Sequence, residues 1–209
     1  MDYYKTIPWC NNLLQRPDVI PYTPTCRLEP DASGHLPTLD QFFHKNLRNT
    51  ELIPNYIRFY QNPFSNHQSE EQEDKSPCLL IPSSTLLLDL HPRVNGFNGS
   101  AHGGLISTLI DEAIGSLIFV NDVIYKQVQR QGRSLPSNVL NMYGVAMFTA
   151  SMNVRFRRPL EMSQVVVATA TFNRIEGRKV FLNADVRSGD GLVFATCEGM
   201  WMSVPKEKL

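Results

Sequence analysis

The feature that most constrains this chain is one apolar segment and the turn that leads into it. From Gly103 to about Val120 the residues Leu105, Ile106, Leu109, Ile110, Ala113, Ile114, Leu117 and Ile118 make the segment apolar nearly all round. A helix of that kind lies centrally buried rather than on a surface. It is preceded by Gly96-Phe97-Asn98-Gly99-Ser100-Ala101-His102-Gly103-Gly104, a glycine-rich turn that lets backbone approach a ligand closely. The helix start adds unpaired N–H groups and the positive end of a dipole, which together favour an anion. Nine residues after His102 a carboxylate, Asp111, stands where a core helix normally carries a hydrophobe. A polarised backbone and a lone acid suggest attack on a carbonyl or phosphoryl group.

Around that helix the chain reads as strands. Leu79–Leu90 precedes it, ending at His91-Pro92, and four strands follow: Thr149–Arg158, Val165–Phe172, Val180–Val186 and Leu192–Val204. Met152, Val154 and Phe156 alternate with Ser151, Asn153, Arg155 and Arg157, so one face meets the core and the other is free. Glu176-Gly177 and Ser188-Gly189-Asp190-Gly191 read as hairpin turns. One strand, a buried helix and an antiparallel meander make an α+β domain whose sheet wraps the helix, the hotdog arrangement. Residues 121–147 read as an irregular connection, long enough to serve as a lid or pocket wall, or to be a tolerated surface insertion.

The domain is expected over 78–209, with 1–77 as an amino-terminal extension. Seven prolines punctuate its first 60 residues, from Pro8 to Pro54. Thr38 and Gln41 suggest a capping box opening a short helix with Leu39, Phe42, Phe43 and Leu47 on one face. Residues 61–77 are polar and charged enough for a mobile linker.

Charge and cysteines exclude several classes. Lys and Arg number 20, as do Asp and Glu, so no net field draws nucleic acid or a membrane. Cys10, Cys26, Cys78 and Cys197 are scattered without metal-ligand spacing, which points to free thiols, no metal and no cofactor. No apolar run is expected to reach membrane-spanning length. The start Met1–Pro8 has neither a signal-peptide core nor a transit-peptide composition, so a cytoplasmic location is expected ahead of a mitochondrial one. The end Glu207-Lys208-Leu209 differs from a peroxisomal Ser-Lys-Leu signal at its first residue.

Several residues carry possible chemistry. Gly104, Ser107, Thr108, Asp111 and Gly115 form a small, polar side of the helix that must face a close neighbour: a second subunit, a substrate, or both. His102 is read as fixing the turn, while the Gly103 and Gly104 amides aim at a developing oxyanion. Strand parity places Thr149 with Ser151 and Asn153, away from the apolar stripe, where its hydroxyl is free to position water. Arg155, Arg157, Arg158, Arg178 and Lys179 form a basic set that either clamps phosphates or is a solvated strand face.

Four motifs in order resemble a known family: Gly96-x-x-Gly99-x-x-His102-Gly103-Gly104, Thr108-Leu109-Ile110-Asp111-Glu112, Thr149-Ala150-Ser151-Met152-Asn153-x-x-Phe156-x-Arg158-Pro159, and Glu176-Gly177-Arg178-Lys179-Val180-Phe181. They look like the hotdog-fold thioesterases of the PaaI type, closest to the carboxy-terminal modulator protein group, over about residues 84–204. The aromatic-rich extension looks like those of small fungal thioesterases. The resemblance implies hydrolysis of an acyl thioester on coenzyme A or a carrier protein, at sites built between the subunits of a homodimer or dimer of dimers. It implies Asp111 as general base or nucleophile, Thr149 as the hydroxyl holding the water, the Gly103 amide as oxyanion donor and His102 as the turn-fixing residue. One departure is Gly96, where many PaaI-type members carry asparagine. Rival readings are a hotdog dehydratase or hydratase using His102, and a non-catalytic acyl-binding partner of a fatty-acid or polyketide synthase.

Overall fold

In chain order the elements are α1 (Asp2–Lys5), α2 (Pro8–Leu14), β1 (Val19–Tyr22), β2 (Tyr56–Gln61), β3 (Ser83–Leu90), β4 (Asn95–Phe97), β5 (Ser100–Ala101), α3 (Gly103–Arg130), β6 (Val145–Phe156), β7 (Gln164–Glu176), β8 (Lys179–Ser188) and β9 (Val193–Pro205). They come from a computed structural model, which describes residues 2–22, 42–47, 50–62 and 76–208. Seven strands join in one antiparallel sheet, ordered β1-β2-β3-β7-β8-β9-β6, and β4 with β5 forms a small separate hairpin. Helix α3 packs on β3, β6, β7 and β8, and side chains of β1 and β2 also reach it. One helix touching strands from both ends of a seven-stranded sheet requires the sheet to curl around it. This is the hotdog architecture, α+β with a central helix.

The core follows from the helix sequence. Leu109, Ile110, Ala113, Ile114 and Leu117 are fully buried and meet Leu86, Leu88, Val166, Ala168 and Leu182 from the sheet. Each buried leucine or isoleucine contributes about 1.5–3 kcal/mol relative to exposure. The helix is long and apolar enough to cross a membrane by length and composition, although Asp111, Glu112 and other polar residues interrupt its apolar run. Here its apolar faces are taken by the sheet.

Three expectations change. The helix does not stop near Val120 but runs to Arg130, which leaves 131–144 as the irregular connection. Asn121, which looks like the start of a loop, is fully buried. Its amide accepts from the Ile81 N–H at 2.8 Å and donates to the Ile81 and Leu117 carbonyls at 3.0 and 2.8 Å. A buried amide satisfied on both ends stabilises the helix against the chain before β3. Tyr125 and Val128 continue the buried stripe one and two turns later.

The four-strand meander is also corrected. β7, β8 and β9 are joined by hairpins, but β6 pairs with β9 at the far edge and not with β7. The chain after β6 instead docks on the glycine turn, with Ala101 N–H on the Leu160 carbonyl at 2.8 Å and Met162 N–H on the Gly99 carbonyl at 3.0 Å.

Strands from both sides of residue 77 share the sheet, since β2 pairs with β3 and β1 with β2. α1 and α2 cover the other face of these strands: Tyr4 and Cys10 pack on Ile57, Phe59 and Leu87, and Tyr4 donates to the Leu87 carbonyl at 2.9 Å. β2 is therefore buried on both faces. The capping box at Thr38 and Gln41 lies outside the described residues; Phe42–Leu47 forms a π-helical turn with Phe43 and Leu47 in the core. Of the 61–77 linker, Gln61 closes β2, and 63–75 lie outside the described residues.

Candidate active site

The β4–β5 hairpin delivers His102 to the first turn of α3, where it is the N-cap in extended conformation. Its main-chain N–H bonds the Val94 carbonyl at 3.0 Å, and its Nδ1 accepts the Gly104 N–H at 2.9 Å. The glycines beside it are there for space. A Cβ on Gly96 would stand 2.6 Å from the His102 Cα, and one on Gly104 would stand 2.9 Å from Nδ1. No side chain fits at 96 in this arrangement, which accounts for the absence of an asparagine there. The Gly104 amide is thus spent on the cap. The Gly103 N–H has no hydrogen-bond partner among the described residues, and the half-exposed Phe156 ring lies 3.5 Å from where its Cβ would be. Of the two amides expected to face an oxyanion, Gly103 is the available donor.

The small polar side of the helix is exposed at Gly104, Asp111 and Gly115. Ser107 and Thr108 turn their hydroxyls back to the Gly103 and Gly104 carbonyls at 3.1 and 2.9 Å, a local bond common for these residues within helices. Asp111 keeps its carboxylate outward. Its neighbour Glu112 turns the other way and accepts the Tyr56 hydroxyl at 2.6 Å. Of the two adjacent acids, Asp111 is the one on the open face.

Thr149 is where parity misleads. Its Oγ1 donates to Asp111 Oδ1 at 3.1 Å, so it faces the helix and not the outer side of the sheet. The reason is a bulge: Thr149 pairs with Trp201 and Ser151 with Met200, which leaves Ala150 as an extra residue. Before the bulge odd residues face the helix; after it even ones do. Met147 and Met152 both pack on the core, so the switch from odd to even apolar positions was the available signal.

The same face holds Cys197, buried opposite Val154. Burial pushes its thiol up, and the negative charges of Asp111 and Glu198 add to this. Among the described residues no group of three or more His, Cys, Asp and Glu is placed to hold a metal ion.

The basic residues divide. Arg157 lines a cleft of ≈ 750 Å³ on the outer sheet face with Arg155, Arg174 and Arg187, whereas Arg158, Arg178 and Lys179 do not line it. Arg155, Arg174 and Arg187 already pair with Glu198, Glu176 and Asp185. Phe156 pairs with Ala195 and Lys179 with Met202. The Arg157–Arg158 and Arg178–Lys179 pairs therefore sit about 23 Å apart along β9 and do not meet in one clamp within a chain.

Nor does one chain bring the Asp111 carboxylate to the Gly103 amide. Eight residues separate Gly103 from Asp111, a rise of about 12 Å along the helix.

The family model for the Thioesterase superfamily matches residues 98–195. This segment is similar to the thioesterase superfamily. It holds His102, Gly103, Asp111 and Thr149, and β1, β2 and β3 precede it. The acyl-coenzyme A thioesterase THEM4 of Bos taurus is 30% identical over 118 residues, covering 56% of this chain and 39% of that protein. The chain thus spans about two fifths of that relative. Verlamelin biosynthesis protein B of a Lecanicillium species is 25% identical over 218 residues, covering 97% of this chain and 87% of that one. Among solved structures, the PaaI protein of E. coli is 15% identical with a TM-score of 0.45, covering 58% of this chain and 72% of that chain.

Proposed function

We propose that this chain hydrolyses acyl thioesters, with acyl-CoA as the substrate class and a homodimer as the working form. The observation that carries the reading is the Thr149–Asp111 pair, an exposed carboxylate oriented by a hydroxyl on the open side of a helix whose first amide is unspent. Asp111 takes a proton from water, or attacks the carbonyl itself, as the thioester oxygen develops negative charge. The Gly103 N–H at the helix start stabilises that oxyanion, a role worth about 3–4 kcal/mol in a preorganised site. Thr149, donating to one carboxylate oxygen, leaves the other to face the reacting water. On the general-base route thiolate leaves as the carbon–sulfur bond breaks, and the proton held by Asp111 returns to it. On the nucleophilic route the same bond breaks to leave an acyl–Asp111 anhydride, which water then cleaves, regenerating the carboxylate and supplying the proton to the thiolate.

The 12 Å problem supports the dimer. Acid and carbonyl must come within about 3 Å of a shared water, which one chain's Gly103 and Asp111 do not allow. Two copies packed on their open helix faces bring one chain's Gly103 to its partner's acid. The name of the bovine relative, which specifies coenzyme A, supports that carrier; a carrier-protein thioester uses the same phosphopantetheine arm. His102 caps the helix and so does not support a dehydratase.

The test is thiol release from a panel of acyl-CoA and acyl-carrier thioesters. Asp111→Asn should lower kcat by about 10²–10⁴; unchanged hydrolysis would dispose of the mechanism. Gly103→Pro removes the amide proton at the helix position where proline is best tolerated, and should also be inactive. Mixing and re-annealing the two inactive variants should restore about a quarter of wild-type activity, because each mixed dimer regains one of two sites.

A further inference from the structure

Among the described residues, Arg58 is the one whose buried side-chain donors go unpaired. It lies mid-way along β2, is 1% exposed, and points into the layer between sheet and helix. Nη1 donates to Ser116 Oγ at 3.0 Å. The Tyr22 and Phe119 rings lie 4.5 and 5.1 Å from its guanidinium carbon. Nε and Nη2 are buried and have no hydrogen-bond partner, and Arg58 has no ion pair among the described residues. The nearby Tyr22 hydroxyl is engaged with Ser84 Oγ and the Ser116 carbonyl.

A guanidinium keeps its charge when buried, and a buried charge without a counter-ion is costly. The two orphaned donors are not scattered. Nε–H and the adjacent Nη2–H form the side-on edge of the guanidinium, whose parallel N–H pair matches the two oxygens of a carboxylate. Ser116 holds Nη1 and so fixes that edge in place. Ser84, Ser116 and Tyr22 are neutral; Glu112, whose charge reaches Tyr22, accepts the Tyr56 hydroxyl and makes no ion pair with Arg58. A flat monoanion with two oxygens matches the free edge, whereas a phosphate dianion adds a second negative charge beside that acid. Access runs through β1, an edge strand held by four residue pairs with Tyr22 as its last residue. Fraying of so short an edge is among the cheapest openings of a fold.

We propose that the Nε/Nη2 edge of Arg58, framed by Tyr22, Phe119 and Ser116, is a buried binding site for a carboxylate. The carboxylate is either a free small acid or the far end of a dicarboxylic acyl chain. The binding claim stands apart from the hydrolytic reading; only the chain-borne source rests on it.

The experiment uses the full chain and two arms. In the first, thermal unfolding is followed with sodium acetate, sodium chloride at matched ionic strength, and acetamide. Near a hundredfold excess over Kd, acetate should raise Tm by about 5 °C or more, acetamide and chloride should not, and Arg58→Lys should lose the shift. In the second, kcat/KM for adipoyl-CoA is compared with hexanoyl-CoA. A chain-borne carboxylate predicts at least a tenfold preference for adipoyl-CoA, falling to about parity in Arg58→Lys, which keeps the charge but loses the fork. Either positive arm supports the site and names its source. No acetate shift together with no adipoyl preference overturns it, as does an equal shift with chloride. If wild type hydrolyses no thioester, the hydrolytic reading fails and the acetate arm alone decides. The wild-type comparison of acetate with acetamide holds even if Arg58→Lys does not fold.

Discussion

Replacing His102 separates bracing from catalysis. Its Nδ1 accepts the Gly104 N–H at 2.9 Å, so in the neutral ring the proton sits on Nε2, and the nitrogen nearest the helix is not free to act as a base. Loss of an N-cap acceptor costs about 1 kcal/mol. For a chain of this size that is a drop of about 2–4 °C in Tm. His102→Ala should show that loss, with a moderate fall in kcat as the Gly103 peptide loosens. His102→Asn should show neither, because asparagine Oδ1 occupies the place of Nδ1, one bond beyond Cγ, and asparagine is among the best N-caps. His102→Asp gives the sharper contrast. An anion at the helix start adds about 0.3–1 kcal/mol of stability, yet it competes with the oxyanion for the same positive end. Its Tm should equal or exceed wild type while kcat falls. Differential scanning fluorimetry and thiol release on the same preparations read both effects. If His102→Asn kept its Tm but lost a thousandfold in kcat, His102 would be a catalyst and the bracing argument would fail.

Three further outcomes follow from the geometry. Thr149→Val removes the donor to Asp111 and should lower kcat about tenfold, the equivalent of one hydrogen bond to a partly exposed charge, with KM and Tm little changed in the same assay. Gly96→Ala places a Cβ 2.6 Å from the His102 Cα; the main chain must move, so stability should fall by about 1–3 kcal/mol in chemical denaturation. Burial pushes the Cys10 thiol from its ordinary 9.0 to about 11. The folded state therefore holds that proton more tightly than the unfolded chain, and this contribution is whole below pH 9 and lost as pH rises through 11. Tm measured across that range should decline, and the decline should be shallower in Cys10→Ala.

What could be read in advance was what depended on local chemistry. A helix apolar on all sides has few places to go, and Asp111 stood out against it. The β7–β8 and β8–β9 hairpins carry their glycines in the sequence. The His-Gly-Gly turn announces a cap because short-range bonds build it. The misread parts depend on partners far along the chain. Asn121 and Tyr125 look like loop residues until Ile81 and the rest of the hydrophobic core are placed beside them. Arg58 carries no local sign of burial; α1 and α2 on one side of β2 and α3 on the other bury both its faces.

The bulge at Ala150 shows why distance matters for function. One unpaired residue reverses every side chain on one side of it, so Thr149 reaches Asp111 only because β6 contains a residue that β9 does not match. Alternation read outward from Met152, Val154 and Phe156 assigns Thr149 to the wrong face, and alternation read from Met147 assigns it to the right one. The conflict between those two readings marks the bulge. Where a strand's period slips beside a candidate catalytic group, the slip points to the group that has been turned inward, and here that is the hydroxyl that orients the carboxylate.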